Sequence, residues 1–146
     1  MDRISSYLAP DHRHCDDYFS AAEEAALQGE WEAAAAQFNQ FILAMQHHFV
    51  KEETVLFPAF EQCTRNARGP TEVMRMEHTQ MRGLFQDLQQ ALASRDANAY
   101  AGAAETLLIL MQQHNLKEEQ MLYRMCDQML AQESADLIAR MSAIAQ

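Results

Sequence analysis

The sequence predicts an all-α fold, an antiparallel four-helix bundle wound up-down-up-down, and three observations predict it. Only four Gly and three Pro occur in 146 residues, β-branched runs are absent, and strong helix formers fill nearly every window. Apolar residues recur at alternating spacings of three and four along four long stretches, the pattern of a bundle seam. The third observation is an internal repeat: His48-Phe49-Val50-Lys51-Glu52-Glu53-Thr54-Val55-Leu56-Phe57 returns 66 residues later as His114-Asn115-Leu116-Lys117-Glu118-Glu119-Gln120-Met121-Leu122-Tyr123. The same offset pairs His12 with His78 and Phe19 with Phe85. Two related helical hairpins account for all three observations.

Taken in order, residues 1–9 read as a lead-in, with Pro10 suited to the first turn of a helix, where its missing N–H is not needed. A first helix over about Pro10–Gln28 carries the seam Leu8, His12, Cys15, Phe19, Ala22 and Ala26, and Gly29 stops it. A second over about Trp31–Cys63 carries Phe38, Phe41, Met45, His48, Glu52, Val55 and Ala59, with a kink or early end expected at Pro58. Arg65–Pro70 is the clearest loop. A third helix over about Pro70–Ala93 carries Met74, His78, Met81, Phe85, Leu88 and Leu92. After the polar link Ser94–Asn98, a fourth over about Ala99–Leu130 carries Tyr100, Ala104, Leu107, Met111, His114, Glu118, Met121 and Met125. Residues 131–146 form an extension, with a small helix around Leu137, Ile138 and Met141. The whole, residues 1–146, reads as one domain whose bundle spans about residues 10–130.

The register places the seam histidines at one level. His12 precedes Gly29 by 17 residues and His48 follows Trp31 by 17, so both sit on the order of 25 Å from their shared turn. His78 and His114 stand in the same relation to the second hairpin.

The net charge of −10 argues against nucleic-acid partners, whose phosphates call for Lys and Arg, and against an anionic membrane surface. No apolar run is long enough to span a bilayer, and no signal sequence opens the chain. Three scattered cysteines without a CxxC pair fit free thiols in a reducing compartment, so a soluble cytoplasmic protein is expected.

The seam contains six residues that an apolar stripe does not explain. Each half has a His, a second His 36 residues on, and a Glu four residues after that: His12, His48 and Glu52, then His78, His114 and Glu118. One histidine on a seam is usually a hydrogen-bonded core residue. One from each of four helices, two of them followed by a carboxylate on the same face, points instead to a shared ligand. Buried carboxylates with no seam Lys or Arg to neutralise them call for cations. Four imidazoles and two bridging carboxylates give each of two metal ions four protein donors and open positions. Mixed nitrogen and oxygen ligation without thiolate suits iron or manganese and admits zinc; non-haem iron is the choice here. Glu53 and Glu119, one position round the helix, read as outer acceptors or solvated charges that are also able to replace their neighbours as ligands.

The Asp11-His12 start, the His48–Phe57 segment followed by Pro58, the Glu77-His78 pair and the His114–Tyr123 segment together resemble the hemerythrin-like, or HHE cation-binding, family over about residues 8–126. The resemblance implies a left-handed four-helix bundle holding a non-haem di-iron centre that binds oxygen or related small ligands, in a family with members in iron sensing, nitric oxide response and peroxide handling. It matches His12, His48, Glu52, His78, His114 and Glu118 to metal ligands. Two departures stand out. Met74 replaces a further helix histidine of the oxygen carriers, and the last His-to-carboxylate spacing is four rather than five. Both favour sensing, redox protection or iron handling over simple oxygen carriage.

The remaining residues read more plainly. His14 and His47 fall off the seam and read as surface residues, Cys15 as a small buried hydrophobe, and the seam methionines as core filler. Cys63 and Cys126 carry no clear signal. Tyr123 pairs by repeat with Phe57 and reads as packing, with proton or electron transfer as the sharper option. The expected function is a di-iron protein binding oxygen, nitric oxide or peroxide, with a protein partner if it senses. The alternatives are a di-iron enzyme turning over peroxide or nitrogen oxides, and an interaction bundle with zinc or no metal.

Overall fold

The computed structural model describes residues 3–146, and among them there is no strand. Helix α1 runs Ile4–Leu27 and α2 runs Trp31–Lys51; a π-helical turn over Glu52–Leu56 then leads into α3, Phe57–Thr64. The second half repeats this plan with α4 (Pro70–Ala93), α5 (Ala97–Lys117), a π-helical turn over Glu118–Leu122, and α6 (Tyr123–Met129). Adding 66 to the bounds of α1, α2 and the first π turn gives those of α4, α5 and the second. A short 3-10 turn, Ala131–Glu133, precedes α7, Ser134–Ser142, which seats Leu137 and Met141 in the core.

Both hairpin turns use one backbone device. The Glu30 N–H reaches the Ala25 carbonyl and the Gly29 N–H that of Ala26; Asp96 to Ala91 and Arg95 to Leu92 repeat the pair. This is the Schellman arrangement, which needs a left-handed residue just past the helix. Gly29 supplies it at φ 73° and Arg95, 66 residues on, at φ 54°. Asp96 then caps α5, its Oδ1 accepting from the Ala99 N–H at 3.0 Å. The hairpins close into a bundle through contacts of α2 with α4 and of α1 with α5 and α6.

Two expectations are corrected. Of the lead-in over residues 1–9, residues 1 and 2 lie outside the described residues and the helix already starts at Ile4. The bundle thus begins before residue 10, and Pro10 lies inside α1, not in its first turn. Burial of Ile4 and Leu8 on the seam outweighs the one helix hydrogen bond that Pro10 cannot make. The second correction concerns the seam beyond each Glu. The expected Met121 is exposed and Met125 only half-buried, and Leu122, Tyr123 and Cys126 are buried instead. In the first half Val55 stays buried but Leu56, Phe57 and Phe60 take the inner positions, with Ala59 at the margin. The cause is the π turn, which spends one extra residue and displaces the inward face by one position. Pro58 follows the first π turn within the opening turn of α3, so the chain is adjusted there without ending.

The apolar core is split into two clusters. Phe19, Phe38, Phe41, Phe85, Leu88 and Leu107 lie toward the hairpin turns; Ile4, Leu8, Leu56, Phe57, Phe60 and Leu122 lie at the other end. Along each long helix the seam histidine falls between the two, so a polar layer crosses the middle of the bundle. Among the described residues no helix is long and apolar enough to cross a membrane.

Candidate metal centre

The polar layer is made by His12, His48, Glu52, His78, His114 and Glu118, all at most 6% exposed. The Glu118 carboxylate links two groups. Its Oε1 lies 3.0 Å from His12 Nε2 and 3.8 Å from His48 Nε2, and its Oε2 lies 3.3 Å from His114 Nε2. Glu52 bridges in the other sense, with Oε1 3.5 Å from His48 Nε2 and 3.2 Å from His78 Nε2. The donors thus sort into Glu52, His78, His114 and Glu118 on one side and His12, His48 and Glu118 on the other, each group's donor atoms within 4.8 Å of one another.

Every imidazole is aimed by a carboxylate behind it. Nδ1 of His12 meets Glu119 at 2.8 Å, that of His48 meets Asp11 at 2.9 Å, that of His78 meets Glu53 at 2.7 Å, and that of His114 meets Glu77 at 2.8 Å. A carboxylate only accepts, so each Nδ1 carries the proton and each Nε2 turns toward the centre, the tautomer a metal requires. Three of these carboxylates are held in turn by cations: Lys51 on Asp11, Lys117 on Glu77, and Arg82 in a two-pronged contact with Glu53 at 2.8 and 3.0 Å. Phe49 stacks on the His78 ring at 3.8 Å, which fixes that imidazole further.

The donor atoms fit a cation better than they fit one another. Among the described residues Glu52 Oε1, His78 Nε2, His114 Nε2 and Glu118 Oε2 are buried with no hydrogen-bond partner, although each such atom costs about 1–3 kcal/mol when left unpaired. These are the donor atoms of the four-residue group. Electrostatics agree in direction. Burial works against a charged His48, yet Glu52, Asp11 and Glu118 hold it well above the usual imidazole range. His114 is likewise raised to about 9 by Glu118 and Glu52 against the effect of burial. Burial acts against the Glu118 charge, but contacts with Glu52 and the histidines keep it well below the usual carboxylate range. Positive charge is therefore favoured at the centre of the layer.

Tyr123 enters this layer, where the sequence suggested packing. Its hydroxyl lies 2.8 Å from Glu52 Oε2, 2.9 Å from Glu118 Oε1, 3.2 Å from His48 Nε2 and 3.4 Å from His12 Nε2. The Tyr123 N–H closes on the Glu118 carbonyl five residues back, and this π turn carries the phenol over the carboxylate. Asp11 and Glu77 were also missed as aiming groups; their signal was that both precede a seam His and match at the 66-residue offset. Glu53 and Glu119 lie behind imidazoles and do not replace Glu52 or Glu118 in the layer. His14 is exposed, and His47 is half-buried, donating through Nε2 to the Ile144 carbonyl at 2.9 Å. Cys15 is buried, and that burial pushes its thiol up to about 12, as befits a small apolar filler.

A surface pocket lined by Ser6, Pro10, His12, Arg13, Asp16 and Glu119 reaches His12, whereas His78 and His114 are 0% and 1% exposed.

Comparison with known proteins agrees with this geometry. A sequence model of the Hemerythrin HHE cation binding domain matches residues 3–126. An uncharacterized hemerythrin-like protein of Schizosaccharomyces pombe is 27% identical over 121 residues, which cover 82% of this chain and 57% of that protein. The chain thus spans little more than half the length of that relative. No solved structure matches. With the buried His and Glu layer marking it as a metal-binding protein, the chain belongs to the hemerythrin HHE cation-binding family.

Proposed function

We propose that the layer holds two iron ions, one by His78, His114, Glu52 and Glu118, the other by His12, His48 and Glu118, with Glu52 and Glu118 shared between them. The observation that carries this reading is the set of four buried donor atoms without a hydrogen-bond partner. Imidazole and carboxylate donors without thiolate suit iron. Manganese and zinc are the competitors that metal analysis separates.

An iron pair of this kind supplies open positions for small ligands such as oxygen, nitric oxide or peroxide. The chain's residues supply the rest. Asp11, Glu53, Glu77 and Glu119 fix the imidazoles, the two apolar clusters exclude bulk water above and below, and a surface pocket opens at His12. Met74, buried beside the layer at the place of the oxygen carriers' extra histidine, leaves fewer imidazoles on the His78 side. We therefore infer sensing, redox protection or iron handling in the cytoplasm, a setting that suits three free cysteines.

Elemental analysis of protein purified without chelator from iron-replete cells tests the proposal, with about two irons per chain expected from the paired donor sets. His48→Ala and Glu118→Ala should each lower that content. Zinc alone, no metal after anaerobic ferrous reconstitution, or unchanged iron in both variants would overturn it.

A further inference from the structure

The two halves of the metal layer are related by the 66-residue repeat, and just after the π turn they differ by one oxygen atom. Tyr123 and Phe57 occupy equivalent positions, each the first residue after a π turn. Their rings also sit alike: Tyr123 stacks on His12 with centroids 5.9 Å apart at 20°, and Phe57 on His78 at 5.6 Å and 29°. Only the Tyr123 side carries a hydroxyl into the layer. The sequence has four tyrosines, and neither Tyr7, Tyr18 nor Tyr100 lines it.

That hydroxyl is over-subscribed as a hydrogen-bond donor. A phenol has one proton, yet Oη faces four heteroatoms at 2.8–3.4 Å. The His12 and His48 Nδ1 atoms are already directed to Glu119 and Asp11, so it is their Nε2 atoms that face the hydroxyl. One proton satisfies one of these neighbours. A shared cation satisfies several.

The spacing also suits ligation. Donors held about 2.0–2.2 Å from a first-row metal ion lie about 2.8–3.6 Å apart in a tetrahedral or octahedral shell. From Oη to Glu118 Oε1, His48 Nε2 and His12 Nε2 the distances are 2.9, 3.2 and 3.4 Å, and from His12 Nε2 to Glu118 Oε1 the distance is 3.0 Å. The His48–Glu118 edge, 3.8 Å, is slightly long. With Glu52 and Glu118 both shared, the His12 side thereby gains a fifth donor where the His78 side has four.

Resting on the two-iron reading above, we infer that Tyr123 Oη is a ligand of the ion held by His12, His48 and Glu118, so that the two ions are chemically unequal. The ion–oxygen bond replaces the phenol O–H bond, and the displaced proton leaves to water. An anionic oxygen on one ion alone stabilises the ferric state there more than at its neighbour, and it places the unequal ion beside the His12 opening.

The test is visible absorption and resonance Raman spectroscopy of the ferric-loaded protein, with iron measured on the same samples. The wild type should show a phenolate-to-iron charge-transfer band, and ring-deuterated tyrosine should shift the Raman modes it enhances. Tyr123→Phe should abolish the band while retaining most of the iron, and Phe57→Tyr should intensify it by up to about twofold, the repeat supplying an equivalent second position. Labelling of the wild type serves even where a variant folds poorly. Two irons bound without a phenolate signature, or a band that survives in Tyr123→Phe, would overturn the ligand assignment and leave the two-iron reading intact. No iron bound by the wild type would overturn both.

Discussion

Glu53 offers a quantitative handle on one side of the metal layer. Its Oε2 accepts from His78 Nδ1 at 2.7 Å and from Arg82 at 2.8 Å, and its Oε1 accepts from Arg82 at 3.0 Å. Burial acts against the charged form, but His78 and Arg82 hold the carboxyl down at about 2, so it is ionised throughout the neutral range. Glu53→Gln keeps the shape and removes the charge. The amide must then turn either its NH2 toward Arg82 or its NH2 toward His78, and in both orientations a donor meets a donor. Loss of such an aiming group weakens metal binding by about 10–100-fold, or roughly 1.4–2.7 kcal/mol. Glu53 belongs at the upper end because three contacts depend on it. Glu119, its repeat equivalent, makes one contact with His12 and its side chain is 45% exposed; water can stand in for it, so Glu119→Gln should cost about tenfold or less, and on the other ion. Competitive titration against a chromophoric chelator, fitted to two sites, separates the two. Equal weakening of both sites by Glu53→Gln, or a larger effect of Glu119→Gln, would refute the assignment of each carboxylate to its own imidazole.

Other outcomes follow from the same structure. Arg95→Gly should stabilise the protein by about 1 kcal/mol, because it relieves a left-handed residue, and raise Tm by about 2–4 °C; Gly29→Ala, with nothing within 4 Å of its added Cβ, should do the reverse through backbone strain alone, both read from thermal melts. His114 is lifted to about 9 in the folded metal-free chain from about 6.5 unfolded. The stability it contributes is therefore full below about pH 6.5 and lost as pH rises through 9, on the order of 3 kcal/mol in urea unfolding of chelator-treated protein. The loaded protein should lack that loss, since the ion takes the proton's place. Deleting Gln120, exposed within the second π turn, should be tolerated as the turn reverts to α-helix. Deleting Glu105, exposed within α5, should abolish folding, because it swings Met111, His114 and Glu118 about 100° off the core. Circular dichroism of the two deletions decides the matter, and unfolding of both would sink the π-turn argument.

The helices and the six residues of the layer were legible because both obey one rule: an α-helix keeps i, i+3 and i+4 on one face. That rule carried His48 to Glu52 and His114 to Glu118. It says nothing of how a residue just off the seam reaches across to another helix, and so the aiming role of Asp11 and Glu77 was not legible. Asp11 adjoins His12 in sequence yet bonds His48, and Glu77 adjoins His78 yet bonds His114. In each case a side chain one position off the seam lies between two helices and serves the imidazole of the neighbour. The repeat held the clue, since the offset that pairs the histidines also pairs Asp11 with Glu77, Glu53 with Glu119 and Lys51 with Lys117.

Tyr123 was hidden by a different physical cause. Extending the α-helical rule past Glu118 leads to Met121 and Met125, whereas the π turn hands their places to Leu122 and Cys126 and carries the residue five beyond Glu118 over its carboxylate. No residue in Glu118–Leu122 demands that turn: it contains neither Gly nor Pro, and the same turn forms at Glu52–Leu56 with Thr-Val in place of Gln-Met. What the two segments share is a Glu pair at the start whose first member is buried, a buried Leu at the end and an aromatic residue just after it. The extra residue is therefore best explained from the layer outward. An i, i+4 His–Glu pair fixes one face, the apolar cluster beyond it needs a large ring close against the next imidazole, and a single added residue reconciles the two. If so, the π turn belongs to the architecture of the site on both sides, and Tyr and Phe at its end decide whether that side receives an oxygen or only a hydrophobic wall.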